Sequence, residues 1–303
     1  MVNAYQSKKV VIIGGGLMGC GIAQIFASKG MRTVVCDPFE QARDSVFDKI
    51  KDNLNLLGQD HGALDYISVC EDFRDVINDA DYVIEAALEK LELKQSIFAD
   101  LVVGTSEDCV LASNTSVIPI HRIAKGLNCE RIIGTHWWNP PYLVPLVEVV
   151  QSESSAIKYI DQMIELLEWV GKKPIHVKKD ITGFVANRMQ HALWREAIAL
   201  VNDGVCDADT VDIAVKNSFG MRLAVLGPIE NADLAGLDLT QDIHNVVLPE
   251  LCRDIVPARV LKDKNEAGDL GMKTGKGFKE YTPEQAAEIK RNMVKHLLQA
   301  IET

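Results

Sequence analysis

The chain has 303 residues, 47% of them hydrophobic and 25% charged, with a formal net charge of −11. That length holds one large or two ordinary domains around a sizeable core. The acidic balance argues against a nucleic-acid partner and against an anionic membrane surface. Val10–Ile13, a short β-branched run, predicts a buried parallel strand. It leads into Gly14-Gly15-Gly16-Leu17-Met18-Gly19, a G-x-G-x-x-G loop, and then into a helix over Ile22–Lys29. Gly14 permits the tight turn, Gly16 lets a pyrophosphate approach the backbone, and Gly19 lets the helix pack on the strand. The first N–H groups of the helix, around Leu17 and Met18, then face the phosphates. A second strand, Thr33–Cys36, ends at Asp37, about twenty residues beyond the loop. A carboxylate there accepts both ribose hydroxyls and repels a 2′-phosphate, so NAD rather than NADP is the expected cofactor. Asp37 also reads as a helix N-cap before Pro38.

A polar-faced helix is expected over about Phe39–Leu57, and strands near Ser68–Cys70, Asp81–Glu85, Val110–Ser113, Arg131–Thr135, Val144–Val150 and Pro174–Val177. Helical patterns over Leu91–Leu101 and Ser155–Val170 lie between them. Alternating strands and helices predict a doubly wound parallel sheet, with ligands at the carboxyl ends of its strands. Beyond Lys178–Gly183 the pattern turns helical, over Phe184–Asn202, Asp207–Lys216 and about Leu239–Leu251. Thr282-Pro283-Glu284-Gln285 reads as a capping box that opens a last helix with an apolar stripe of Ile289, Met293, Leu297 and Ile301. The expected division is therefore 1–182, an NAD-binding domain, and 183–303, an all-helical domain. Seven scattered cysteines without a C-x-x-C pair argue against a disulfide framework or a structural metal. The opening MVNAYQSKK is too short for a secretory leader and no stretch approaches a membrane span, so a cytoplasmic protein with no membrane partner is expected.

Two polar segments fall where strand ends meet a cofactor. Ser113-Asn114-Thr115-Ser116 follows the fifth strand, and His136-Trp137-Trp138-Asn139-Pro140-Pro141 follows the sixth. Asn114 and Ser116 read equally as turn residues. Glu148 lies inside Leu146–Val150, where a carboxylate between valines is costly unless partnered. Paired with His136 it would fix one imidazole nitrogen and leave the other as a base; a structural ion pair with Lys or Arg is the plainer alternative. Asn187, near the start of the first helix of the second domain, is an amide in need of a partner, and a substrate oxygen would serve.

These residues resemble the L-3-hydroxyacyl-CoA dehydrogenase family over nearly the whole chain. The resemblance implies a Rossmann-type sheet followed by an all-helical C-terminal domain, NAD as cofactor, a small-molecule substrate and a homodimer. It implies that Ala86, Glu89 and Lys94 line the NAD site, although Glu89 and Lys94 alone read as a solvated helix face. By the same resemblance Asn114 and Asn139 serve the cofactor, Ser116 touches substrate and nicotinamide, His136 is the base and Glu148 its partner. Asn187 would reach the substrate. Gly271–Phe278 is similar to the family's G-x-K-x-G-x-G-F segment.

One departure concerns the substrate. Asp52 and Leu56 stand where CoA-using members carry basic residues, with Lys49 and Lys51 nearby as substitutes. Asn139–Tyr142, Gly220–Arg222 and Gly227–Glu230 look like a free-acid branch of the family, similar to gulonate, carnitine and pyridine-alcohol dehydrogenases. In that branch Arg222 becomes the candidate carboxylate clamp, against a helix-end or interdomain ion pair. The rivals are a CoA thioester dehydrogenase and an NAD-binding structural protein of the λ-crystallin kind. A catalytic lysine of the 3-hydroxyisobutyrate type is disfavoured by Asn187-Arg188.

Overall fold

The computed structural model describes residues 4–302, with side chains for 5–300; Met1–Asn3 of the opening stretch and the side chain of Ile301 lie outside the described residues. Eight strands form one sheet: β1 Lys9–Ile13, β2 Arg32–Cys36, β3 Ile67–Cys70, β4 Tyr82–Glu85, β5 Val110–Ser113, β6 Ile132–Trp137, β7 Leu146–Val150 and β8 Lys173–Val177. Their spatial order is β3-β2-β1-β4-β5-β6-β7-β8. β1, β4, β5 and β6 carry no exposed residue, as a sheet covered on both faces requires.

The first six strands are parallel, but β7 runs antiparallel to β6, and β8 is parallel to β7. This corrects the uniformly parallel sheet expected from the sequence. The reason is the length of the link: residues 138–145 separate β6 from β7, too few for a crossover helix, so the chain turns straight back. Between β7 and β8 there is a helix, and the direction is kept.

Around the sheet lie α1 Leu17–Ala27, α2 Glu40–Asp44, α3 Val46–Leu56, α4 Leu91–Gly104, α5 Ile120–Ile123 and α6 Ile157–Trp169. The single helix expected over 39–57 is interrupted at Ser45, and α1 starts at Leu17, inside the glycine motif, rather than at Ile22. Apolar side chains from α1, α3 and α6 form one core layer against the sheet, and α4 and α5 supply the other.

By contacts the chain divides into two units, one of residues to Asn187 plus those from His296, the other Arg188–Lys295. The division falls within α7 (Ala186–Asn202). The rest is helical: α8 Ala208–Lys216, α9 Pro228–Ala235, α10 Leu237–Val247, α11 Arg259–Glu266 and α12 Pro283–Glu302. The short α9 and α11 lacked a legible apolar period. Thr282 and Gln285 exchange the two hydrogen bonds of a capping box, at 2.9 and 3.2 Å. Among the described residues no helix is long and apolar enough to cross a membrane.

Candidate active site

The glycine loop needs its glycines for three separate reasons. Gly14 has φ +114°, and a Cβ there would sit 2.6 Å from the Ala86 carbonyl oxygen. A Cβ on Gly19 would fall 1.8 Å from the Gly14 carbonyl oxygen, so α1 packs on β1 only because that side chain is missing. A Cβ on Gly16 would meet nothing within 4 Å of the protein: it would project into the open space at the start of α1 where the pyrophosphate of NAD would be held. Gly16 is the N-cap of α1 and offers no side-chain cap, which leaves the first amides of the helix to a ligand.

Asp37 follows β2 directly. Its Oδ2 accepts from the Gly15 N–H at 2.8 Å and its Oδ1 from the Phe39 N–H at 3.0 Å. Asp37 is not the helix N-cap expected from the sequence, because α2 starts only at Glu40 with Phe39 as its N-cap; its Oδ1 closes a local turn instead, and each oxygen keeps a lone pair for a ribose hydroxyl. Lys49 reaches over from α3 and donates to the Gly15 carbonyl at 2.9 Å. A depression of about 850 Å³ beside them is lined by Pro38, Phe39, Ala42, Ser45 and Lys49. These residues fit the adenosine half of NAD.

The end of β4 holds a network that the sequence reading passed over. Glu85 is fully buried and takes the Lys94 ammonium at 2.7 and 2.9 Å, the Ser113 hydroxyl at 2.6 Å and the Ala87 N–H at 2.8 Å. Lys94 has no exposed surface, so the solvated helix face does not hold for it. It also contacts Glu89 at 3.3 Å. Glu89 Oε1 accepts from the Thr115 hydroxyl at 2.5 Å and from the Ser116 and Val117 N–H groups at 3.0 and 3.2 Å. Partial burial pushes the Glu89 carboxyl up, but these hydrogen bonds and Lys94 outweigh it and hold the group below its ordinary value. Glu89 thus fixes the loop carrying Ser116. The signal for Glu85 was present, since a carboxylate ending an apolar strand poses the question already asked of Glu148.

His136 and Glu148 are register partners across the antiparallel β6–β7 pair. Nδ1 of His136 lies 2.7 Å from Oε2 of Glu148, and the two residues are 4% and 0% exposed. The other carboxylate oxygen accepts from the Val185 and Ala186 N–H groups at 2.9 and 3.0 Å, at the start of α7. Burial opposes the charged form of Glu148; the His136 hydrogen bond and those two amides prevail and lower its pKa. The turn that aims the amides includes Gly183 at φ +74° and Phe184 at φ +48°. A phenylalanine in that region is strained and persists because its ring is fully buried. The Phe184 and Trp138 rings lie 5.6 and 5.4 Å from the imidazole and wall it in.

The next residue, Asn187, donates from Nδ2 to the Ser116 carbonyl at 3.0 Å. One chain of hydrogen bonds therefore runs from His136 through Glu148 and the 185–187 segment to Ser116 and on to Glu89. The Asn114 side-chain oxygen accepts from the Trp137 N–H at 3.0 Å, tying β5 to β6. Ala86 lies against Gly14, while Asn139 is exposed after β6. Arg222 belongs to the other unit, where it ends a short 3₁₀ turn and is exposed, without a side-chain hydrogen bond or ion pair among the described residues.

Comparison with known proteins places the chain. The model of the 3-hydroxyacyl-CoA dehydrogenase NAD binding domain matches residues 9–181, and that of the C-terminal domain of the same family matches 183–281. The chain belongs to the 3-hydroxyacyl-CoA dehydrogenase family and is an NAD-dependent oxidoreductase. It is 34% identical over 299 residues to 5-formyl-3-hydroxy-2-methylpyridine 4-carboxylate 5-dehydrogenase of Mesorhizobium japonicum, covering 96% of each chain. It is also 34% identical over 234 residues to L-carnitine dehydrogenase of Oceanobacillus iheyensis, covering 76% of each. A crystal structure of the pyridine dehydrogenase, described as an NAD+ dependent dismutase, superposes with a TM-score of 0.89 at 31% identity over 97% of both chains.

Proposed function

We propose that the enzyme oxidises the 3-hydroxyl of a small free carboxylate rather than of a CoA thioester, with His136 as the base. The 2.7 Å contact between buried His136 and Glu148 carries the assignment of the base. With Nδ1 donating to Glu148, Nε2 keeps its lone pair and takes the hydroxyl proton, while the carboxylate stabilises the imidazolium that forms. Ser116 and Asn187 orient the substrate oxygen, and Asn114, Asn139 and Ala86 line the cofactor cleft with the glycine loop. Glu89 and Lys94 serve the cofactor indirectly, by fixing the loop at Ser116. Bound NAD supplies the two-electron acceptor.

Three observations support the free-acid branch. Asp52 and Leu56 are exposed on α3 where a CoA grip would need cations, and Lys49 is already committed to Gly15. The pyridine and carnitine dehydrogenases to which the chain is similar are named for substrates that are not CoA thioesters. The third is the likeness of Gly220–Arg222 to that branch, in which Arg222 would clamp the substrate carboxylate bidentately. A pyridine alcohol or aldehyde is the second reading, favoured by the flat Trp138 ring beside the imidazole.

The test is a substrate panel of acetoacetyl-CoA, free 3-hydroxy and 3-keto acids, and pyridine alcohols, each run with wild type and His136→Ala. Turnover of a free acid, lost in the variant while NADH still binds, is expected. Preference for acetoacetyl-CoA would sink the substrate assignment, and an active variant would sink the base.

A cytoplasmic homodimer completes the proposal. Helices α8–α11 contain no buried residue, and Val225, Ile229, Leu234, Val246 and Ile255 are 72–98% exposed. So much apolar surface on one unit calls for cover, and a second copy of the chain is its expected occupant. A monomer by light scattering at micromolar concentration would remove that reading.

A further inference from the structure

Two thiols lie side by side next to the acid of the glycine loop, and the chemistry above uses neither. Cys36 ends β2 and Cys70 ends β3, and the two are register partners in the sheet. Their sulfurs are 2.7 Å apart. A disulfide bond is about 2.05 Å long and tolerates Cα separations of about 4.4–6.8 Å. Neighbouring strands, about 4.8 Å apart, lie inside that window. Closure needs a sulfur movement of only roughly 0.7 Å.

The pair is asymmetric in access. Cys36 is 1% exposed, whereas Cys70 is half-buried and sits on β3, the outermost strand of the sheet. Cys20, Cys109 and Cys129 are buried, and Cys206 and Cys252 belong to the other unit.

The backbone of the pair is wired to the cofactor loop. The Gly14 N–H donates to the Cys36 carbonyl at 2.8 Å, and the Asp37 N–H donates to the Cys70 carbonyl at 3.1 Å. Asp37, the next residue, holds Gly15. Binding groups need placement to within about 0.5 Å, so movement at the two sulfurs is felt at Asp37 and the loop.

We propose that Cys36 and Cys70 form a reversible disulfide with hydrogen peroxide as oxidant, and that the cross-link weakens NAD(H) binding. The peroxide oxygen transfers to Cys70 Sγ, giving a sulfenic acid and releasing water. Cys36 Sγ then attacks that sulfur; the S–S bond forms, the S–O bond breaks, and the thiol proton leaves with the oxygen as a second water. Two electrons pass from the thiol pair to the peroxide. Dithiothreitol reverses the step by exchange. Burial raises both thiols above their ordinary pKa, so the thiolate is scarce at neutral pH and the reaction is slow there, speeding as pH rises.

The test treats the reduced full-length protein with hydrogen peroxide at pH 8, blocks remaining thiols and maps peptides without reduction. NADH affinity is followed in parallel by fluorescence. The expected result is a linked Cys36–Cys70 peptide within one chain, a dissociation constant several-fold higher, and recovery with dithiothreitol. Cys70→Ser should abolish both changes. Cys36→Ala should leave Cys70 without a resolving thiol and carry it on to sulfinic acid. Absence of the linked peptide in folded wild type would overturn the proposal. So would a link that leaves NADH affinity unchanged, or the same peroxide sensitivity in Cys70→Ser.

Discussion

The end of β4 and the middle of β7 pose one electrostatic problem and solve it differently. Each places a glutamate with no exposed surface in the sheet. Glu85 is paired with the Lys94 ammonium, and its oxygens also accept from Ser113 and Ala87. Such a pair orders the loops around it. Glu148 is given two amides and an imidazole instead. Imidazole is the group whose proton comes and goes near neutral pH. A buried acid with a lysine is therefore scaffold, and a buried acid with a histidine is poised for proton transfer.

Crossing the two sites would break this comparison if it is wrong. Glu148→Gln keeps an oxygen for Val185 and Ala186 but turns an amide donor towards Nδ1. The imidazole must then accept there and carry its proton on Nε2, where the proposed base needs a lone pair. Turnover should fall by about 10²–10⁴ with NADH affinity retained, read from steady-state rates and fluorescence titration. Lys94→Met strands the buried Glu85 charge and should cost about 3–5 kcal/mol of unfolding free energy, measured in urea. Adding Glu85→Leu should restore much of that loss, because a buried ion pair is often replaceable by apolar groups. A Lys94→Met protein as stable as wild type, or a Glu148→Gln enzyme at full rate, would erase the distinction.

What could be read from the sequence follows the range of the interaction. The glycine loop, Asp37 and the capping box at Thr282 are local, so spacing alone locates them. His136 and Glu148 were legible because polar groups on apolar strands demand partners. That they face each other depends on the short return between β6 and β7, whose eight intervening residues also imply the antiparallel direction. Lys94 taken alone reads as a solvated helix face because its helix looks polar there; the carboxyl ends of the central strands β4 and β5 bury its ammonium, which no local pattern shows. Phe184 at positive φ and the Cys36–Cys70 contact come from a turn and a strand order that no local pattern encodes.

Lys172 sharpens the comparison from the opposite side, as a buried cation without an acid. Its ammonium donates to the Pro141 and Val144 carbonyls at 2.5 and 2.9 Å and lies 5.9 Å from the Trp137 ring centre. It thereby fastens the segment after Asn139, which packs against Gly21 of α1 through Pro141. Burial lowers its pKa to about 8, against about 10.4 for a free lysine. Between those values the unfolded chain holds a proton that the folded chain has released. Stability from this group therefore rises with pH across that window, by up to about 1.4 kcal/mol per pH unit, and is flat above it. Lys172→Met leaves two carbonyls without a donor but removes the titration. The difference in unfolding free energy between wild type and variant should grow in favour of wild type from pH 8 to pH 10, measured by urea melts at each pH. A constant difference over that range would mean that Lys172 keeps an ordinary pKa despite its burial.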